Sequence, residues 1–271
     1  MTSFKWLGVV AVLCLIAHTS LIAQDQDGLT AETRFSDRRV LSHPPVREAD
    51  ILWKRSVTRL IDTREKINLP FRYPARPFFD VLVEGARQGE VPLISAHDPT
   101  GKTPLPLPEL ESSLFSVDTV LIIDPVTNEW RNQEVVNVMN TEDIRYFYIK
   151  EVWYFDSRYS TMRCRITAIA PVMEEYREES GRPLTKVLFW VDYSRARAWL
   201  ARQPAFEAGN DQAALSWEDV FESRRFSSYI TKVPNVLDAR LQDQYTGADL
   251  LLESRRQEEA IHQFEHDLWE W

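Results

Sequence analysis

Cysteine is nearly absent from this chain. Its 271 residues include two, Cys14 and Cys164. Only Cys164 lies outside the first apolar segment, and one thiol cannot close an internal disulfide. The packed core must therefore hold the fold, even in an oxidising compartment. No pair of cysteines has zinc-site spacing, and no G-x-S-x-G elbow occurs. Internal repeats and useful coiled-coil heptads are missing too. After the first segment, no apolar run approaches the ~20 residues that a membrane-spanning helix needs. Positive charge is in deficit, with 32 Lys+Arg against 41 Asp+Glu and a net charge of −9. That balance argues against nucleic acid or an anionic membrane surface as a direct partner.

The chain opens "MTSFKWLGVVAVLCLIAHTSLIAQDQ". Lys5 precedes an apolar run over residues 6–17, and polar sequence follows. This is the pattern of a secretory signal peptide, residues 1–23, with cleavage expected after Ala23. A lipid-modified cysteine needs a small residue before it, and Leu13 stands before Cys14. The expectation is an exported protein without its own lipid. Removing residues 1–23 leaves 31 basic and 41 acidic residues, net −10.

Residues 24–45 are polar, lack sustained periodicity and end in Pro44 and Pro45; they are expected to form a flexible leader. The remainder, 46–271, is expected to be a single α+β domain: N-terminal helices, a central antiparallel sheet from about residue 119 to 192, and C-terminal helices. In "ADILWKRSVTRLIDTREKINLP", Trp53, Val57, Leu60 and Ile61 recur at helical spacing, which predicts a first helix stopped by Pro70. "RPFFDVLVEGARQGEV" predicts a second, with Pro77 in its first turn and Gly89 as its C-terminal cap. After a Pro-rich connection the period changes to two. "TVLIIDPVTNEWRNQEVV" reads as two strands around a turn. "RYFYIKEVWYFD", "TMRCRITAIAPV" and "LTKVLFWVDY" read as further strands. In the second of these, Met162, Cys164, Ile166 and Ala168 alternate with Arg163, Arg165 and Thr167, which predicts one buried and one wet face. Cys164 then falls on the apolar side, as a small core residue. "YSRARAWLARQ" predicts a short helix and "SWEDVFESRRF" another, with Ser216 and Asp219 at capping-box spacing. Thr246 and Asp249 repeat that spacing before the last helix.

Two stretches invite a chemical interpretation. "HQFEH" spells His262-x-x-Glu265-His266, the inverted zinc-protease pattern. On a helix both histidines lie on the flank away from Ile261, Phe264 and Leu268. A hydrolytic zinc site needs three protein ligands and a water. Five residues follow His266, and the histidines at 43 and 97 lie in the leader and a loop. Glu258 and Glu259, one turn earlier, are the nearest candidate third ligands. A charged, solvated helix face is the expectation, and a small zinc-dependent hydrolase is the alternative. "AHDPTGKT", residues 96–103, approaches a phosphate-binding loop. Pro104, Pro106 and Pro108 follow at once and remove the helix that such a loop requires. Gly101 is expected as the third residue of a turn. No catalytic, cofactor-binding or metal-ligating residue is assigned.

Eight tryptophans lie beyond the first segment, many beside charge. Trp269 and Trp271 in the acidic "FEHDLWEW" are expected to dock, on the chain itself or on a partner.

"VTRLIDTREKINLPFRYP", "YIKEVWYFD", "WEDVFESRRFSSYITK" and "FEHDLWEW" also carry a family resemblance. In this order, from about residue 51 to 271, they resemble the GldN/PorN family of the gliding-motility and type IX secretion apparatus. The resemblance implies a non-enzymatic periplasmic structural subunit. It implies assembly with an outer-membrane lipoprotein of the GldK/PorK type into a ring, and contact with the periplasmic part of the GldM/PorM motor protein. It brings no catalytic residues and no cofactor. Residues 24–43 and 97–108 take no part in it.

Overall fold

The computed structural model describes residues 35–98, 101–123, 130–176, 183–206 and 215–269. The expected signal peptide, residues 24–34 of the leader and the turn at 124–129 lie outside the described residues.

The fold is α+β and is organised around one antiparallel sheet of seven strands. These are β1 (Ile51–Asp62), β2 (Leu93–Ser95), β5 (Ile144–Asp156), β6 (Thr161–Tyr176), β7 (Pro183–Val187), β8 (Phe189–Asp192) and β11 (Tyr229–Lys232). The order is β11-β1-β5-β6-β8-β2, and β7 also pairs with β6. A separate ribbon joins β3 (Phe115–Ile123) to β4 (Trp130–Val138). A minor pair joins β9 (Pro204–Ala205) to β10 (Leu215–Ser216). The helices are α1 (Phe78–Arg87), α2 (Leu107–Leu114), α3 (Tyr193–Ala201), α4 (Trp217–Glu222), α5 (Leu241–Gln244) and α6 (Gly247–Trp269). Among the described residues, no helix is long and apolar enough to cross a membrane.

The first expected N-terminal helix is instead strand β1, followed by a 3-10 turn at Lys66–Arg72. Residues 53, 57 and 61 are four apart, and four is close to one helical turn and is also an even number. The spacing therefore fits a helix face and a strand face equally. Leu60 decides against the helix, because it lies in a different apolar cluster from Val57 and Ile61. The sheet accordingly extends beyond residues 119–192 in both directions, to β1 and β11. The β3–β4 hairpin, expected inside that sheet, forms a sheet of its own.

Other expectations hold at the level of single elements. Helix α1 buries Phe78, Val81 and Leu82 completely. Pro77 precedes its first turn, as the N-cap, and Gly89 at φ +74° follows its last. Asp192 caps α3 through the amide of Arg195. Ser216 and Asp219 form the expected reciprocal capping box of α4. The Pro-rich connection contains an unexpected helix, α2. Pro106 and Pro108 lie at its start, where missing N–H groups cost nothing. On β6, residues 161–166 are all half-buried, so the expected wet face is largely covered.

The main core lies between one face of the sheet and helices α1 to α4. Its centre is aromatic. Phe71 meets Phe78, Phe147, Trp217 and Phe221 at ring separations of 5.4, 5.5, 5.0 and 5.9 Å. Such pairs contribute ~0.5–1.5 kcal/mol each beyond their area burial. The leader's last part is tied to this domain. Arg38 meets Asp219 at 2.7 Å, and the carbonyls of Pro44 and Pro45 accept from Arg165 and Arg158.

Gly85 in α1 faces Trp199 of α3, whose indole N–H donates to the Val81 carbonyl at 2.9 Å. A Cβ at position 85 would sit 2.5 Å from Val91 Cγ2 and 2.6 Å from Trp199 Nε1. Helix propensity alone favours alanine over glycine by ~1 kcal/mol. Overpacking outweighs that gain, so Gly85→Ala is expected to destabilise by about 1–3 kcal/mol. A lowered urea midpoint at unchanged slope is the measurement; a raised midpoint would show that the helices yield.

Candidate functional site

Helix α6 carries the "HQFEH" stretch and lies along one face of β1, running the opposite way. Ile261 is buried with Val57, Ile230, Val233 and Leu241. Phe264 stacks on Trp53 at 4.8 Å and 22°. Phe264 thus docks on the chain's own sheet, while the side chain of Trp269 lies outside what the structure describes. Trp271 lies outside the described residues.

The polar groups of the motif have structural partners. Glu265 accepts from the Met162 amide at 3.2 Å, on β6. His262 is exposed, with its ring edge-on to Trp153 at 5.6 Å. His266 is exposed on the same helix. Glu258, the nearest upstream carboxylate that is drawn inward, holds the Arg59 guanidinium at 2.8 Å. Among the described residues, no three His, Cys, Asp or Glu side chains gather closely enough to hold a metal ion.

Beneath α6 lies a buried charged cluster that the sequence did not single out. Glu151 of β5 is 1% exposed. It accepts from Arg224 Nη1 at 2.9 Å and from Trp153 Nε1 at 3.0 Å. Arg224 follows α4 in the left-handed conformation, φ +53°, a position that usually takes glycine. Burial is the largest influence and works against its charge, but Glu151, Cys164 and Glu258 together outweigh it and raise its pKa. Arg224 also reaches Cys164 Sγ at 3.4 Å. Burial first, and Glu151 second, push the Cys164 thiol far up, so it stays protonated and unreactive. Arg59, 4% exposed, completes the cluster through Ser228 Oγ at 2.9 Å and Glu258.

In the "AHDPTGKT" loop, the Asp98 carboxylate accepts from the amides of Lys102 and Thr103, at 2.9 and 2.7 Å. These are the N–H groups a phosphate would need, and an anion already holds them. The Gly101 amide donates to the Asp98 carbonyl at 3.2 Å. Gly101 is therefore the fourth residue of the turn and not the third. Its φ of +66° suits glycine.

A groove of about 880 Å³ lies beside the 3-10 turn that follows β1. Its walls are apolar: Ile67, Leu69 and Phe71, with Tyr73 stacked on Phe206 at 4.2 Å and 6°. Ile67, Leu69 and Phe206 are 55%, 52% and 45% exposed, unusual for large apolar side chains so close together. Lys66, Arg72 and Arg225 line it too, and no carboxylate does among the described residues. The described lining combines apolar walls with cations, which suits binding.

Two sets of variants separate these roles. Arg224→Ala strands the Glu151 carboxylate away from water and should destabilise by about 2–3 kcal/mol. Adding Glu151→Gln should recover part of that loss. A urea titration that finds the single and double variants equally unstable would refute the pairing. His262→Ala together with His266→Ala should change stability by less than about 1 kcal/mol and leave the metal content of the purified protein unchanged. One tightly held zinc per chain, lost in the double variant, would reverse that conclusion.

Comparison with curated proteins gives no match. The family model described as "Gliding motility associated protein GldN" matches residues 46–270, which span the domain from before β1 to past the end of α6. The chain belongs to the GldN family of gliding-motility-associated proteins.

Proposed function

We infer that this chain is a non-enzymatic structural subunit of the periplasmic ring of the type IX secretion and gliding-motility apparatus. It assembles there with an outer-membrane lipoprotein of the GldK/PorK type. It meets the periplasmic part of a GldM/PorM-type motor protein. The observation that carries this reading is the GldN match over residues 46–270.

The chemistry is consistent with a scaffold. The one motif that suggests hydrolysis uses Glu265 to hold an amide of β6 and sits beside a Glu258 engaged by Arg59. The main groove offers apolar area and cations. Without a lipid of its own, the subunit depends on its lipoprotein partner for its place at the membrane. A protomer separated from its assembly exposes apolar surface and loses the stabilisation that binding supplies.

Deleting the lipoprotein gene in the native host should therefore move this chain from the membrane fraction to the soluble fraction and lower its abundance. Fractionation and immunoblotting measure both. Unchanged membrane association and unchanged abundance would overturn the proposed partnership.

A further inference from the structure

The helices take one face of the sheet. Val57, Ile61, Phe147 and Ile149 share apolar clusters with residues of all six. On the opposite face Leu60, Tyr148, Ala170 and Val172 form a third cluster, and every residue packed against it comes from a strand. Among the described residues no helix contributes to it.

Toward the start of β1 this second face turns cationic. Residues in register on neighbouring strands share a face. Lys54, Tyr154 and Arg163 form one row across β1, β5 and β6. Ser56, Val152 and Arg165 form the next, and Thr58, Lys150 and Ala168 a third. The rows hold two lysines, two arginines and no carboxylate. Lys150 Nζ lies 4.0 Å from the centre of the Trp190 ring. Burial first, and Lys232 second, lower its pKa, and no carboxylate supports its charge. Arg163 and Arg165 lie over the rings of Tyr159 and Tyr154. Arg163 also donates to Thr161 Oγ1 at 3.5 Å, and Arg165 to the Pro44 carbonyl. Among the described residues no carboxylate pairs with any of these four cations. Carboxylates at the margins have cations of their own. Asp238 meets Lys232 at 2.7 Å, Asp156 meets Arg158 at 3.2 Å and Asp192 meets Arg195 at 3.5 Å.

Four positive charges gathered on one side of a chain of net charge −9 repel one another. Anionic groups bound among them remove that repulsion. An extended anionic surface, such as a membrane, would meet the acidic remainder of the chain as well. A narrow acidic segment meets the cationic rows alone.

We propose that this helix-free face binds an acidic segment of a partner protein. Its carboxylates meet Lys54, Lys150, Arg163 and Arg165, the hydroxyls of Ser56 and Thr58 donate to it, and Val152 gives aliphatic contact between them. Like-charged surfaces are turned away by the rest of the chain, so the face also selects its partner by sign. The contact goes beyond the proposed function and does not depend on it.

Fluorescein-labelled hexaglutamate, titrated into the purified exported chain at low ionic strength, tests it by fluorescence polarisation. Binding should saturate, and weaken as salt is added. Lys54→Glu together with Arg163→Glu should weaken it at least about tenfold. Lys66→Glu together with Lys102→Glu makes the same change of net charge at two exposed positions outside the rows, and should weaken it less than about twofold. Lys54 is exposed, so Lys54→Glu alone, expected to weaken binding at least about threefold, decides the matter if circular dichroism shows the first double variant unfolded. Carbodiimide coupling of the bound peptide, read by mass spectrometry, should place its carboxylates on Lys54 and Lys150. Absence of saturable binding, equal loss in the two double variants, or coupling confined to other lysines would each overturn the proposal. So would vesicles of phosphatidylglycerol that bind the chain through Lys54 and Arg163 when hexaglutamate does not. None of these readouts needs the lipoprotein or the motor protein. A failure here therefore leaves the proposed function standing, and a failure of that function shows in the host fractionation.

Discussion

Strand β1 carries much of the structure, because everything that satisfies it comes from far along the chain. β5 pairs with it along its length, and β11 pairs with Thr58, Arg59 and Leu60 on its other edge. One face is covered by α6 through Ile261 and Phe264. Until residues 229–264 arrive, Trp53 and Val57 have no apolar cover and the β1 edge has unpaired amides. Such a topology delays the reward for closing long loops. It also binds the end of the described domain to its beginning. The amide of Ile230 donates to Ser254 Oγ at 2.7 Å, so even the edge strand β11 is completed by α6.

The cluster around Glu151 shows what that arrangement demands. A carboxylate in mid-sheet, 1% exposed, requires a cation close by. Arg224 supplies it from a left-handed residue where glycine would cost less. Strain of about 1–2 kcal/mol at such a position is smaller than the cost of an unpaired buried carboxylate. The same economy governs the terminal motif. Its charged side chains face the sheet or solvent, and two of the carboxylates, Glu258 and Glu265, fasten α6 to β1 and β6. The spacing that suggests zinc is also the spacing that places polar groups at successive turns over a sheet.

Local chemistry was legible in the sequence wherever one segment decided its own structure. The capping box at Ser216 and Asp219, the α1 stripe with Gly89 behind it, and the β3–β4 hairpin follow from neighbours within a few residues. The sequence of β1 is ambiguous because spacing by four satisfies both periods, and only the distant β5 and β11 settle which applies. β11 gives no signal, because four residues, "YITK", are too few for a period to show. Helix α2 was hidden by prolines whose position, at its start, makes them harmless. The Glu151–Arg224 pair joins residues 73 apart; no spacing rule reaches that far. The groove was illegible for the same reason, since its walls are gathered from the 3-10 turn, Phe206 and α4.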